Sequence, residues 1–512
     1  MLQVVLGRNP RPPRRSGRPL VHVVLPRWGG SGMNKAFAHR FPPMSVLVLA
    51  ALAEREGWDA RIIDESYEPI PAERPDLAAI TVWTGFAPKA YKIADAYRAR
   101  GVPVVLGGVH ASLMPTEALR HGDAVVAGEA ELVLAAVLDD ALSGCLKPYY
   151  TGPWAGMEHV PMSDELEPFY MRFPYGRYQP THTLQSTRGC RFNCDYCSVI
   201  RINGRGTRHA EAARVVEDIR RRTQMKPRMP GVVFIFFLDD DLASDLDYVA
   251  ELCEALLLAD MNIRWTAQAS IGLCRRPDVL ALAARSGCRS LFCGLESVSR
   301  SSLVEANKKN RPEEYAELVS VAHSNGVSIE GSFIFGFDDD TPECFEDTVD
   351  VLDQIGVDLA HFFLLTPFPG THTFARYYEQ ARIIDFDWGR YDSYTPVVQP
   401  ANMTPDELRQ GLCRAYRRFY APSMQRERIL RGLGWREGFW SASYAMINRS
   451  YARLSRKLDL PVARMQPAFQ PDQADLEALL ATSRAEPQLA IEVAGRDLAP
   501  ARVPVRAVHL VD

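Results

Sequence analysis

Twice along this chain, short apolar runs rich in β-branched residues alternate with stretches whose apolar residues recur at helical spacing. That alternation leaves few folds open. The first series runs Leu20 to Leu25, Ala60 to Asp64, Leu77 to Trp83, Val102 to Leu106 and Ala124 to Ala127, with helical stretches at Met44 to Glu56 and Lys89 to Arg100. It predicts an α/β unit with a doubly wound parallel sheet over residues 20–145. The second starts with a strand near Thr183 and continues through Val232 to Leu238, Ile263 to Gln268, Ser290 to Leu295, Ser328 to Phe335 and Leu359 to Leu365. Helical stretches separate these runs, so the second series predicts a partial (β/α)6 barrel over residues 183–385.

Between the two series, residues 146–182 are rich in Pro, Tyr and Met without a clear period, and read as a linker. Residues 1–19 read as a flexible basic arm carrying Arg8, Arg11, Arg14, Arg15 and Arg18 among prolines. Residues 386–512 read as a mainly helical C-terminal region, with Thr404 and Pro405 opening one helix. A helix is expected at Gln473 to Ser483 and a strand at Leu489 to Val493.

At the start of the second series stands Ser186-Thr187-Arg188-Gly189-Cys190-Arg191-Phe192-Asn193-Cys194-Asp195-Tyr196-Cys197-Ser198. Cys190, Cys194 and Cys197 have the spacing C-x3-C-x2-C. Three thiolates on a cubane iron–sulfur cluster leave one iron without a protein ligand, open to a substrate or cofactor. Buried free thiols or a zinc site are the alternatives, but a zinc site wants a fourth ligand and no second C-x2-C follows. The other seven of the ten cysteines are scattered. With no export signal, they favour a reducing, cytoplasmic setting over a disulfide framework. A formal charge of −4 gives no case for nucleic acid as the main partner. No apolar run reaches the roughly 18 residues of a spanning helix.

The cysteine segment resembles the cluster loop of the radical S-adenosylmethionine (SAM) enzymes. The whole of residues 20–430 resembles their subgroup with an N-terminal cobalamin-binding domain, including hopanoid-methylase-like and anaerobic-cyclase-like members. The resemblance implies a flavodoxin-like cobalamin domain followed by a TIM-type partial barrel. It implies a 4Fe–4S cluster on Cys190, Cys194 and Cys197 whose open iron chelates SAM, with Tyr196 near the adenine. Reductive cleavage would then yield a 5′-deoxyadenosyl radical.

In the first unit, Val104 to Ser112 is a strand running into Gly107-Gly108 and His110, and Gly128-Glu129 follows the last strand. By resemblance these contact cobalamin, the glycines letting backbone approach its nucleotide tail. The loop after the first strand, Pro26-Arg27-Trp28-Gly29-Gly30, lacks the D-x-H-x-x-G of methionine-synthase-type domains. That implies cobalt without a protein histidine on its lower face. His22, His39 and His110 are nearby, each read as a surface or core residue before a ligand. A flavodoxin-like fold that has lost its cofactor or binds a different nucleotide is the alternative.

In the barrel, polar residues cluster where strands end, which is where barrel chemistry is built. By resemblance, Asp239 and Asp240 meet the SAM ammonium, and Gln268 and Glu296 suit the ribose hydroxyls. Ser332 and Ile334, within Gly331 to Gly336, lie against the adenine. Each acid has a helix cap as its alternative, and the cap is the reading for Asp241 and for Asp338 to Asp340. Trp388, Tyr391 and Tyr394 either close over a substrate or pack internally.

The resulting expectation is a cobalamin-dependent radical SAM methyltransferase acting on an unactivated carbon of a small-molecule or lipid-like substrate. A donor such as flavodoxin or ferredoxin would supply electrons. A radical cyclase or rearrangement enzyme is the enzymatic alternative. A cobalamin- or SAM-binding sensor is the alternative of another class, although a sensor needs no open iron.

Overall fold

The computed structural model describes residues 17–27, 43–170, 182–224, 233–434, 438–456, 470–496, 498 and 501–502. The basic arm up to residue 16, the stretch Trp28 to Gly32, His39, and the linker aromatics Phe173, Tyr175 and Tyr178 lie outside the described residues.

The first unit is built on strands β1 (Leu20–Leu25), β2 (Asp59–Asp64), β3 (Leu77–Thr81), β4 (Val104–Gly107), β5 (Ala124–Ala127) and β6 (Tyr149–Thr151). They pair in parallel in the order β6-β5-β4-β3-β1-β2. β1 is buried along its whole length, as a strand covered on both faces must be. Strand order reverses at β1, which leaves a crevice beyond the carboxyl ends of β1 and β3.

β6 lies in the stretch expected to be linker. Tyr149 and Tyr150 are both buried, and the Tyr150 hydroxyl donates to Asp140 at 2.7 Å. Three residues are too short a run for periodicity to announce a strand.

The second unit opens with β7 (His182–Leu184), then a two-stranded antiparallel pair of β8 (Thr187–Arg188) and β9 (Arg208–His209). β10 (Val233–Phe237), β11 (Ile263–Gln268), β12 (Cys288–Glu296), β13 (Ser328–Phe335) and β14 (Leu359–Leu364) follow. β7 and β10 to β14 pair in parallel and in chain order, giving the six-stranded partial barrel.

The two faces of this sheet differ. Outward residues such as Ile235, Trp265, Cys293, Phe333 and Phe362 are buried against helices. Inward residues at the alternate positions, including Phe236, Thr266, Phe292, Ile334 and Phe363, are only half-buried. The inner face therefore stays open to a ligand, where a closed barrel would fill it with side chains.

At β14 the sheet has a free edge. The hydroxyls of Tyr416 and Tyr420, from the helix Pro405–Phe419 and its cap, satisfy that edge's backbone groups. Tyr416 accepts from Phe362 N at 3.0 Å, and Tyr420 donates to Ala360 O at 2.9 Å. Thr404 and Glu407 form a capping box at the start of that helix, with Pro405 in its first turn.

The helix Gln473–Arg484 is present. The strand expected at Leu489 to Val493 is instead a helix, Ala490–Ala494, following a short turn. Ala490, Glu492 and Ala494 favour that state, and it buries Ala490 against Leu113 and Ile202. Finally β15 (Ala501–Arg502) adds to β6, so the C-terminal region returns to the first sheet.

Candidate functional site

The cysteine loop leaves β8 at the mouth of the partial barrel, and glycine makes its turn possible. Gly189 has φ +92°, and a Cβ there would lie 2.2 Å from Gly206 O. Beyond it, Cys190 N donates to Gly204 O at 3.4 Å and Cys197 N to Cys194 O at 3.1 Å. The loop is held from the far side as well. Asp195 N donates to Ala306 O at 3.1 Å, Thr373 N to Asp195 O at 3.0 Å, and Asn307 Nδ2 to Asn193 O at 2.8 Å.

Beneath the loop lie the acids that end β10. Asp239 is fully buried, and its carboxylate accepts from Ser186 N at 2.6 Å, Thr187 N at 2.5 Å and Ser186 Oγ at 2.9 Å. Burial pushes its pKa up to about 7 against the pull of those donors. Asp240 accepts from Gly189 N at 2.7 Å and Asn203 Nδ2 at 2.9 Å. Both were expected at the SAM ammonium. The structure instead commits them to bracing the loop, because its backbone N–H groups would otherwise be buried without partners.

Asp241 caps the turn Leu242–Ser244, as expected, and also accepts from Ser270 N at 2.6 Å. Asp340 is not a helix cap. It accepts from Gly336 N at 2.8 Å and Phe337 N at 3.1 Å, closing the turn after β13. Asp338 is not a cap either, and pairs with Arg382 at 2.7 Å.

At the carboxyl ends of β12 and β13, Glu296 is buried in a left-handed conformation, φ +69°. It accepts from Ser332 Oγ at 3.2 Å and Lys308 Nζ at 3.4 Å. Burial works against the Lys308 ammonium, but Glu296, Cys194 and Asp241 outweigh it and raise its pKa. Tyr196 is half-buried, and with Ile334 it packs on one hydrophobic cluster. Gln268 ends β11 half-buried. The mouth of the barrel thus gathers Tyr196, Glu296, Ser332 and Ile334 beside the cysteines.

Sequence reasoning missed Lys308, one of two lysines in the polar run Asn307 to Asn310. It also missed a polar trio further down the inner face. Glu330 Oε1 meets His361 Nε2, and Tyr451 Oη lies 3.3 Å from Glu330 and 3.0 Å from His361. Phe292 packs edge-on to His361 with ring centroids 5.2 Å apart. Glu330 and His361 stand at the alternate positions of a half-buried strand face, the one signal that pointed there.

The edge of the first sheet departs more from expectation. Gly108 needs its φ of +94°, but the close approach is to Val82 O, 3.0 Å from where a Cβ would stand. Gly128, φ +79°, is met by Ile491 from the C-terminal helix. Gly107 ends β4, where a Cβ would be in ordinary contact with Val126 O.

His110 is fully buried, with Nε2 3.0 Å from Glu117. Glu117 also accepts from Tyr91 at 2.7 Å and from Trp388 Nε1 at 3.0 Å. His110 therefore belongs to an interior network and not to the open edge. Trp388, Tyr391 and Tyr394 are buried, so they pack internally and do not cover a substrate. His22 is buried and bonded to Tyr97 at 2.8 Å, and burial drives its pKa down to about 3.

Glu129, expected at cobalamin, is an anchor. It pairs with Arg208 at 2.5 Å and Arg188 at 3.4 Å, and accepts from Ala155 N at 2.7 Å. Arg188 also reaches Glu131 at 2.8 Å. These pairs lock the loop after β5 to the strands flanking the cysteine loop.

Cys190, Cys194 and Cys197 put three thiols in one loop, the donor set that a cubane cluster takes. Burial and the nearby Asp241 carboxylate raise the Cys190 thiol to about 11, and burial and the neighbouring Cys194 raise the Cys197 thiol to about 12. A cubane is gripped at three separate irons.

Comparison with known proteins agrees with this geometry. Residues 184–352 match the radical SAM superfamily and residues 30–138 the B12 binding domain. The chain is 31% identical over 427 residues to the bacteriochlorophyllide d C-12(1)-methyltransferase of Chlorobaculum tepidum, covering 82% of this chain and 90% of that one. It is 24% identical over 438 residues to the anaerobic magnesium-protoporphyrin IX monomethyl ester cyclase of Rubrivivax gelatinosus, covering 78% and 77%. Among solved structures, the radical SAM methyltransferase TsrM of Kitasatospora setae, with cobalamin and a 4Fe–4S cluster bound, matches with TM-score 0.60 and 17% identity. That match covers 86% of this chain and 99% of that one. No helix among the described residues is long and apolar enough to cross a membrane.

Proposed function

Because the chain belongs to the radical SAM enzymes that carry a B12-binding domain, with a 4Fe–4S cluster, SAM and cobalamin as cofactors, we propose that it transfers a methyl group to an unactivated carbon. When bound, these groups supply a hydrogen-abstracting adenosyl radical and a methyl donor. One observation carries the reading. The strands that flank the cysteine loop are ion-paired to the loop after β5 of the first sheet through Arg188, Arg208 and Glu129, which supports a reading in which the two cofactor regions face one another.

In this reading Cys190, Cys194 and Cys197 hold the cluster. Asp239 and Asp240 fix the loop that presents them. Lys308 and Glu296 form a buried charge pair beside them, placed to meet the carboxylate or hydroxyls of SAM, with Ser332 orienting Glu296. Ile334 and Tyr196 give the adenine an apolar wall. The substrate enters along the half-buried inner face, where Phe292 and Phe363 offer aromatic surface and Glu330, His361 and Tyr451 offer polar contacts. The apolar lining excludes water from a radical. A small iron–sulfur or flavin protein is the natural electron donor.

The second reading, radical cyclisation without methyl transfer, is supported by the likeness to the anaerobic cyclase. Anaerobic turnover with SAM, hydroxocobalamin and reductant separates the two. Methyl transfer yields S-adenosylhomocysteine and 5′-deoxyadenosine in equal amounts with substrate present. Cyclisation yields 5′-deoxyadenosine without S-adenosylhomocysteine.

A further inference from the structure

We propose that the exposed side of the C-terminal helix Gly438–Ser455, with the helix Pro422–Gly432 packed against it, is a docking surface for an anionic lipid bilayer. From Pro422 to Arg456 the chain carries seven arginines against two acids, Glu427 and Glu437, although its net charge is −4. A local excess of that sign is the electrostatic footprint of an anionic partner.

The helix Gly438–Ser455 has two sides. Tyr444, Asn448 and Tyr451 recur at helical spacing and are buried. Of these, Tyr451 reaches Glu330 and His361 on the inner face of the partial barrel. Ala442, Met446, Arg449 and Arg453 recur at the same spacing and are exposed, as is Arg456 just beyond the helix. On the neighbouring helix and its cap, Arg426, Leu430 and Leu433 form a second exposed row. Leu430, Leu433 and Met446 are 54%, 58% and 64% exposed, apolar side chains left in solvent beside guanidiniums.

Arginines close by behave differently. Arg414, Arg418 and Arg431 each pair with an acid of the helix Cys344–Ile355: Glu346 at 2.9 Å, Asp350, and Asp353 at 2.7 Å. Arg426, Arg449, Arg453 and Arg456 make no ion pair among the described residues. Unpaired arginines beside exposed apolar side chains match a bilayer interface, where basic groups meet phosphates and apolar groups enter the acyl boundary. Position speaks against an acidic electron donor. Glu330 and His361 lie nearer the amino ends of β13 and β14, whereas the cysteine loop lies at the carboxyl ends of the strands. A protein docked on this helix would sit at the end of the barrel away from the cysteines.

Vesicle binding needs neither the cluster nor methyl transfer, so its test stands apart from the proposed function. The full chain should float with phosphatidylcholine vesicles carrying about one third phosphatidylglycerol, and bind pure phosphatidylcholine at least about tenfold more weakly. Roughly 0.5 M salt should release it, because charges are then screened within a few ångströms. Arg449→Gln, Arg453→Gln and Arg456→Gln together should weaken binding by about tenfold or more. Leu430→Ser with Met446→Ser should weaken it by about fivefold or more. Arg414→Gln with Arg418→Gln removes charges already met by acids, and should bind within about threefold of wild type. Unchanged melting temperatures would show that the variants fold. A wild type that ignores anionic vesicles, wild-type affinity in the triple variant, an equal loss in the Arg414 and Arg418 pair, or binding that salt does not weaken would each overturn the proposal. A chain that ignores vesicles but is retained by an acidic flavodoxin would make this face a protein site, and overturn it as well.

Discussion

Arg188 Nη1 lies 3.4 Å from Glu129 Oε2, joining the strand that leads into the cysteine loop to the loop that ends β5 of the first sheet. Arg208 completes the arrangement on the same carboxylate. Glu129→Ala would leave two guanidiniums and the Ala155 N–H without this partner in a largely buried setting. The expected cost is about 3–5 kcal/mol, read as a lower melting temperature. Glu129→Gln should lie between that variant and the wild type.

Asp239 divides two substitutions by their hydrogen bonds. Asp239→Asn keeps an oxygen for the Ser186 and Thr187 N–H groups, whereas Asp239→Ala leaves both unpaired at about 1–3 kcal/mol each. Iron content after anaerobic reconstitution should fall in the alanine variant and persist in the asparagine variant. The pH dependence has a definite sign. Folding raises this carboxyl to about 7, so the folded chain holds the proton more tightly than the unfolded one. Its contribution is unfavourable above that pH, and the penalty fades as pH falls towards 4. Asp239→Asn should lack this component in melting curves recorded from pH 8 to pH 5.

Gly189→Ala should abolish cluster loading while leaving the rest of the fold standing. The added Cβ meets backbone and no movable side chain, and the φ of +92° is strained for alanine. Absorbance near 400 nm after reconstitution, alongside far-UV circular dichroism, would show the loss to be local.

Glu330→Gln and Tyr451→Phe test the inner face as the substrate surface. Both positions are remote in sequence from the cysteines, and neither touches them. SAM cleavage without substrate should be unchanged, while the ratio of methylated product to 5′-deoxyadenosine should fall by about tenfold. Measuring both products in one reaction checks this.

The two sheets were legible because most of their strands are apolar runs bounded by turns, and the cysteine loop because ligand spacing is local. The roles of Asp239 and Asp240 were not, because the N–H groups they satisfy lie about fifty residues earlier, a pairing that only the folded sheet creates. Glu129 and His110 followed a motif of position, and the structure spends them on an ion pair and a buried network. Lys308 and the trio of Glu330, His361 and Tyr451 left almost no local trace. Each acquires its setting from strands or helices far away in the chain. Short elements such as β6 escaped because three residues carry no period.

The most direct measurement is iron and sulfide per chain after anaerobic reconstitution, with an electron paramagnetic resonance spectrum of the reduced protein before and after SAM. The account predicts about four irons per chain, a reduced-cluster signal that SAM alters, and neither in the variant with Cys190, Cys194 and Cys197 all changed to alanine. Equal iron content in that variant, or a signal indifferent to SAM, would contradict it.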